Sequence, residues 1–278
     1  MWGIVPAAGQ GSRMRPLAFS KELLPVGSRK DGESDRPVAV SEYLIDRLLE
    51  AGVTKLCFVI SPGKSDILEY YGGRVRGADT CYVVQDKPRG LCDALFRALP
   101  FINDDEQVCV GLPDTIWFPQ DALRAVATRA LNFLLFPVEH PELFDSVSFD
   151  SDGRVQRIQV KATDAKSRWI WGAFSATGAT LRELQELWKE PARGDEYLGT
   201  LVNEYLARGG AAWASPVGRA YVDVGTLHGY REATRLLEAF KLLGDAALVE
   251  PVSARAGAAE PGLGPRAALN EVLSCSKQ

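Results

Sequence analysis

Over the first 120 residues, short apolar and β-branched runs alternate with stretches whose apolar positions recur at helical spacing. Residues 2–7 (WGIVPA) read as a first strand. Residues 41–50 (SEYLIDRLLE) set Tyr43, Leu44, Arg47 and Leu48 on helical spacing, Ala51-Gly52 closes that helix, and residues 55–60 (KLCFVI) form the next strand. The pattern repeats with a helix at 65–71, a strand at 80–85, a helix at 91–99 and a strand at 107–112. Strands separated by helix-length segments predict βαβ crossovers and a parallel sheet. Beyond about residue 130 the texture changes. Strands are expected at 132–138 and 168–175, flanking a polar hairpin that turns at Asp152-Gly153. Helices follow at 179–189 and 198–207, then a short strand at 220–222 and a helix at 230–243. The expected fold is α/β, a doubly wound, mostly parallel, Rossmann-like sheet with a smaller β-rich part.

Length divides this pattern into a main domain, residues 1–243, and a tail, residues 244–278, rich in Ala, Gly and Pro. Few large side chains in the tail offset its ordering entropy, so it is expected to be loosely ordered or docked on a neighbour. A formal net charge of -4 supplies no basic footprint for a nucleic acid polymer, which removes that class of partner. The five cysteines (Cys57, Cys81, Cys92, Cys109, Cys275) are scattered and mostly lie in apolar runs, as free thiols do in a cytoplasmic protein. The amino end lacks the basic and apolar regions of a leader, and no apolar stretch is long enough to span a bilayer.

The candidate chemistry begins directly after the first strand, in Ala7-Ala8-Gly9-Gln10-Gly11-Ser12-Arg13-Met14-Arg15-Pro16-Leu17. Glycines there admit a phosphate close to the backbone, and turn N–H groups supply donors for it. Met14 replaces the third glycine of a dinucleotide fingerprint, and no Gly-Lys-Ser/Thr follows to make a Walker A loop. Taken alone, the turn reads equally well as structural. Its continuation into Lys21-Glu22-Leu23-Leu24-Pro25 decides the matter. Together these residues resemble the sugar-phosphate nucleotidylyltransferase family, in its thymidylyl and uridylyl branches, with the pattern G-x-G-[TS]-R-x-x-P followed by K-x-[LM]-L-P. The resemblance implies that Ala7, Ala8, Gly9, Gly11 and Ser12 wrap the NTP phosphates, that Arg13 holds the leaving pyrophosphate, and that Lys21 stands beside the reacting phosphates.

Further elements extend the likeness to about residues 2–240. Gln85-Asp86-Lys87-Pro88-Arg89-Gly90-Leu91 is similar to the family's base-reading segment, which implies nucleotide contacts at Gln85, Pro88 and Gly90. Asp114 in Leu112-Pro113-Asp114 and Asp223 in Asp223-Val224-Gly225-Thr226 stand where the family places its Mg²⁺ ligands. Two carboxylates plus phosphate oxygens suit that ion. Lys161 matches the lysine that binds the acceptor phosphate, but Gln159 or Val160 replaces the glutamate before it and Ala162 the proline after it. Gly172 matches a strand glycine beside the sugar, and Asp145, where a glycine is common, is a candidate for the missing carboxylate. Trp169 and Trp171 flank Gly172, while His140 and His228 fall in no metal or nucleophile pattern. Residues 27–34 look like an insertion and are expected to form a mobile loop near the nucleotide.

The implied reaction joins a sugar 1-phosphate to the nucleotidyl part of an NTP, dTTP or UTP ahead of CTP, and releases pyrophosphate. Two alternatives stay open: a regulatory homologue that binds nucleotide sugars with little turnover, and a cytidylyltransferase for a non-sugar phosphate. The resemblance also brings in homo-oligomers as partners.

Overall fold

Apolar runs buried on both faces build the centre of the sheet. The computed structural model describes residues 1–244, so the tail beyond Gly244 lies outside the described residues. In chain order the first half contains β1 (Trp2–Pro6), β2 (Pro25–Asp31), β3 (Ser34–Ala39), α1 (Val40–Glu50), β4 (Lys55–Ile60), α2 (Ser65–Tyr71), β5 (Arg74–Val75), β6 (Ala78–Val84), α3 (Gly90–Ala98), β7 (Gln107–Gly111) and β8 (Thr115–Phe118). The second half adds β9 (Leu131–Pro137), β10 (Asp145–Phe149), β11 (Val155–Val160), β12 (Trp169–Thr177), α4 (Gly178–Trp188), α5 (Leu198–Ala207), β13 (Trp213–Ser215), β14 (Ala220–Asp223) and α6 (Leu227–Leu243).

Strands β7, β1, β4 and β6 lie side by side and parallel, giving the α/β fold with a mainly parallel centre. The sheet grows outward antiparallel: β12 pairs with β7, and β10 and β11 follow as the hairpin expected around Asp152-Gly153. One face of the sheet packs against residues of α3, α4 and α5, and the other against α1. A third apolar cluster joins β8 and β14 to α6. Among the described residues no helix is long and apolar enough to cross a membrane.

The segment 27–34 departs from expectation. It belongs to a regular hairpin in which Ser28 pairs with Pro37 and Lys30 with Asp35, turned by Gly32 at φ 61°. Lys30 faces Asp35 across the ladder while Arg29 faces Arg36, and the hairpin packs on α6 and α1, where Lys241 Nζ donates to Ser28 Oγ at 2.9 Å and Arg29 to Asp46 at 2.7 Å. Helix α6 also starts three residues earlier than its apolar spacing implies. Thr226 caps it by accepting from the Gly229 N–H at 3.0 Å.

At the first turn of α1, Glu42 is buried among Arg36, Arg76 and Tyr70, with Arg36 bound to both of its oxygens at 3.0 and 2.7 Å. Burial by itself would push this carboxyl up. Hydrogen bonds from Arg36, Tyr70 and the Ala39 N–H instead hold it at about 2. A carboxylate depressed from 4.5 to about 2 contributes about 3 kcal/mol of stability that is present above pH 4.5 and lost as pH falls toward 2. Glu42→Gln should therefore lose about 2–3 kcal/mol at pH 7 in denaturant unfolding, and its stability should fall less steeply than wild type between pH 4.5 and 2.

Candidate active site

The turn after β1 is shaped by Gly11, whose φ of 62° and ψ of 30° are left-handed, and by a tight helical turn over Ser12–Met14. Lys21 runs beneath this turn. A Cβ on Gly11 would stand 3.1 Å from Lys21 Cδ, and one on Gly9 would stand 3.9 Å from Lys21 Nζ. Gly11 thus leaves room for the lysine, whereas a Cβ on Gly9 would make only an ordinary contact with it. Arg13, mostly exposed, reaches across to Asp223, with Nη2 to Oδ2 at 3.3 Å.

Asp114 and Asp223 are far apart in sequence and are joined by one small ladder. β8 and β14 pair antiparallel with Thr115 opposite Asp223, and the Val224 N–H donates to the Asp114 carbonyl at 2.8 Å. Gly225 then folds back so that its N–H donates to Asp223 Oδ1 at 2.7 Å. The Cβ that Gly225 lacks would lie 2.7 Å from Asp223 Oδ1, 2.8 Å from Arg13 Nη2 and 3.4 Å from Asp114 Oδ2, so both carboxylates converge on one space. Lys21 Nζ closes it from the other side, donating to Asp114 Oδ2 at 2.5 Å. Burial works against the charge of Asp114, but Lys21 and Arg13 outweigh it and hold the carboxyl below its usual range. Burial likewise works against Lys21, yet Asp114, Glu22 and Asp223 raise it above 10.5. This donor set fits one hard cation. Among the described residues no three His, Cys, Asp or Glu side chains gather around a point, so a cation on Asp114 and Asp223 would draw its other oxygens from phosphates and water.

A cavity of about 830 Å³ opens beside the loop, and Ala8, Gly11, Lys21, Gln85 and Pro88 line it together with Arg15, Ser20, Lys64 and Asp66. Gln85 is buried at the end of β6, with Nε2 donating to the Gly90 carbonyl at 3.0 Å and to Asp93 Oδ2 at 2.8 Å. Turning the amide over would set its oxygen against two acceptors, so the free atom is Oε1. Gly90, at φ 79°, has a further reason to be glycine: a Cβ would lie 2.5 Å from the Glu196 carbonyl oxygen.

The second group of predicted residues gathers around Tyr221. Asp145 begins β10, accepts from Trp171 Nε1 at 3.4 Å, and is pushed up by burial against the opposing pull of Trp171 and Lys161. Lys161 follows β11 with φ 44°, its Nζ 4.8 Å from the centre of the Tyr197 ring. Tyr221 is pushed well above 10 by burial and by the carboxylates of Asp223, Asp114 and Asp145. Gly172 is buried, and a Cβ there would meet Tyr221 at 2.5 Å and Phe136 at 2.7 Å, so packing alone demands glycine. Tyr221, Glu22 and Lys64 are site residues that motif reasoning passes over. Only Lys64 carries a local signal, following Pro62-Gly63 at a strand end.

A family profile described as nucleotidyl transferase matches residues 2–239. The chain is 29% identical over 250 residues to a glucose-1-phosphate thymidylyltransferase of Neisseria meningitidis serogroup A, covering 86% of this chain and 83% of that protein. It is 28% identical over 254 residues to an enzyme of the same name from Mycolicibacterium smegmatis, covering 87% and 84%. Among solved structures, a putative glucose-1-phosphate thymidylyltransferase from Bacillus anthracis in complex with a sucrose superposes with a TM-score of 0.72 at 26% identity, over 84% of this chain and 94% of that one. A UDP-glucose pyrophosphorylase from Acinetobacter shares the fold, with a TM-score of 0.69 at 19% identity over 87% and 94%.

The Lys21–Asp114 pair is present between the depressed pKa of the acid and the raised pKa of the base, so its contribution is level from about pH 4 to 10. In Asp114→Asn, burial is left with less to oppose it. The Lys21 ammonium should then titrate below 10.5 in carbon-detected NMR, and unfolding should cost about 1.5–3 kcal/mol less than in wild type.

Proposed function

We propose, for a chain that belongs to the nucleotidyl transferase family, that it transfers the nucleotidyl group of dTTP or UTP to a sugar 1-phosphate and releases pyrophosphate. The observation that carries this reading is the double ion pair of the cleft, Arg13–Asp223 beside Lys21–Asp114, next to a glycine turn and a large cavity. A sugar phosphate is already an anion, so attack on the α-phosphorus needs no general base. What it needs is alignment of two polyanions and cover for their charge. Arg13, exposed and free to swing, would take the pyrophosphate side, and Lys21 the α-phosphate. Lys161 would take the acceptor phosphate, and Ala7, Ala8, Gly9, Gly11 and Ser12 would offer the turn backbone to the triphosphate. Asp114 and Asp223 would hold Mg²⁺, which supplies charge neutralisation across the phosphates when bound.

Base choice follows from Gln85. With both amide hydrogens committed to Gly90 and Asp93, its Oε1 offers an acceptor to the cavity. Thymine and uracil carry a donor at N3 and cytosine an acceptor, which supports dTTP or UTP over CTP. On the acceptor side, Asp145 beside Lys161 and Gly172 provides a carboxyl for ring hydroxyls, which supports a sugar over a non-sugar phosphate. The names of the similar proteins agree with a hexose 1-phosphate as acceptor.

The test is pyrophosphate release with Mg²⁺ across five NTPs and a panel of sugar 1-phosphates and phosphocholine. Release is expected with dTTP or UTP and one sugar 1-phosphate. Arg13→Ala should lower turnover about 10²–10³-fold while leaving the melting temperature within about 2 °C, as befits an exposed side chain. Nucleotide binding without release on any acceptor would instead mark a regulatory homologue.

A further inference from the structure

Directly under the glycine turn lies a second buried ion pair, between Glu22 and Lys64. Lys64 Nζ donates to Glu22 Oε1 at 2.9 Å, to Glu22 Oε2 at 2.8 Å and to the Ala7 carbonyl at 2.6 Å. An ammonium has three hydrogens, and all three are used. The side chains are 12% and 2% exposed, so this is no solvated surface pair. Burial pushes the Glu22 carboxyl up and Lys64 opposes it. A buried charge pair is weak as a source of stability, which makes its placement the more informative fact.

The pair joins three separate pieces of chain. Ala7 is the last residue held by the sheet, its N–H donating to the Val59 carbonyl at 2.7 Å. From there to Met14, the one turn hydrogen bond is Met14 N–H to the Gly11 carbonyl at 3.0 Å. Lys64 lies in the turn between β4 and α2 and lines the same cavity as Gly11 and Lys21. Glu22 is the residue after Lys21, in the tight turn Lys21–Leu23, and its own carbonyl is held by Ser41 Oγ at 2.6 Å.

We infer that Glu22 and Lys64 are positioning residues: they clamp the base of the phosphate-binding turn to the turn that carries Lys21, so that backbone donors and ammonium are already aligned before a triphosphate arrives. The effect on affinity rests on the nucleotidyl-transfer reading of the cleft; the clamp itself is a property of the free protein. Pre-alignment lowers the ordering cost of binding and acts on the phosphates, not on the base. Lys64 itself makes no phosphate contact in this scheme, because its hydrogens are spent on Ala7 and Glu22.

The experiment compares wild type, Lys64→Met, Glu22→Gln and the double variant Glu22→Gln/Lys64→Met. Amide hydrogen exchange over residues 7–14 is measured in the ligand-free proteins, and calorimetry gives the affinities for UTP and for uridine. The double variant leaves no buried charge unpaired, so it should regain most of the stability lost in Lys64→Met and serves if the single variant fails to fold. Exchange over the turn should nevertheless be about tenfold faster or more in both Lys64 variants. The ratio of UTP to uridine affinity should fall about tenfold, with uridine affinity itself unchanged. Glu22→Gln keeps an acceptor for Lys64 and should show a smaller effect. Unchanged exchange over residues 7–14 in the double variant would overturn the inference, as would a loss of uridine and UTP affinity in equal measure. Loss of UTP affinity with unchanged exchange would overturn it too, making Lys64 a phosphate ligand. If wild type binds neither UTP nor uridine, the proposed function fails while the exchange data still decide the clamp.

Discussion

The two-strand ladder between β8 and β14 is the constraint on which the site depends. It is short, and it lies off the main sheet. Yet it alone brings Asp223 beside Asp114, with Thr115 opposite Asp223 and the Asp114 carbonyl bonded to Val224. Two cations of the cleft are then organised by those two carboxylates: Lys21 on one, Arg13 on the other. The cluster of Ile116, Phe118, Val222 and Val224 against α6 holds the ladder in place, so the helix that ends the described chain supports the two carboxylates from a distance.

In the ligand-free protein the cleft neutralises itself. Three cation–carboxylate pairs, Arg13–Asp223, Lys21–Asp114 and Lys64–Glu22, lie around the glycine turn, and Lys21 and Lys64 line the cavity beside it. They differ in what they are free to do. Arg13 is exposed and its bond to Asp223 is long, so it can change partner at little cost. Lys21 is mostly covered, and Lys64 has no hydrogen left to offer. The arrangement grades from a movable group at the surface to a fixed one beneath the turn.

The acceptor side is built on packing as much as on polar contacts. Gly172 lets Tyr221 approach β12 closely, where Phe136 and Phe144 also reach it. Tyr221 lies near Asp145, Asp114 and Asp223, and burial of its hydroxyl together with these carboxylates pushes it well above 10. Asp145 is also the direct cross-strand partner of Val160, so the carboxyl stands one strand away from the apolar residue before Lys161.

Much of this was legible in the chain itself. The alternation of apolar runs and helical spacing is local, and it located β4, α2 and α5 to the residue, because burial on both faces of a strand or one face of a helix leaves a period. The order of glycines, Arg13 and Lys21 is also local, since the turn needs left-handed backbone at Gly11 whatever surrounds it. Pairings between distant segments leave no such trace. β8 is four residues long, the outer part of the hairpin of β2 and β3 is made mostly of charged residues with no apolar period, and Thr226 caps α6 ahead of its apolar spacing. Glu22 and Lys64 read as ordinary surface charges until β4 and the Lys21 turn are stacked around them. The sequence by itself determined the class of sheet and the position of the glycine turn after β1, because both arise from interactions between near neighbours. The tertiary structure decided which carboxylate meets which cation, because that depends on how strands far apart in the chain come to lie side by side.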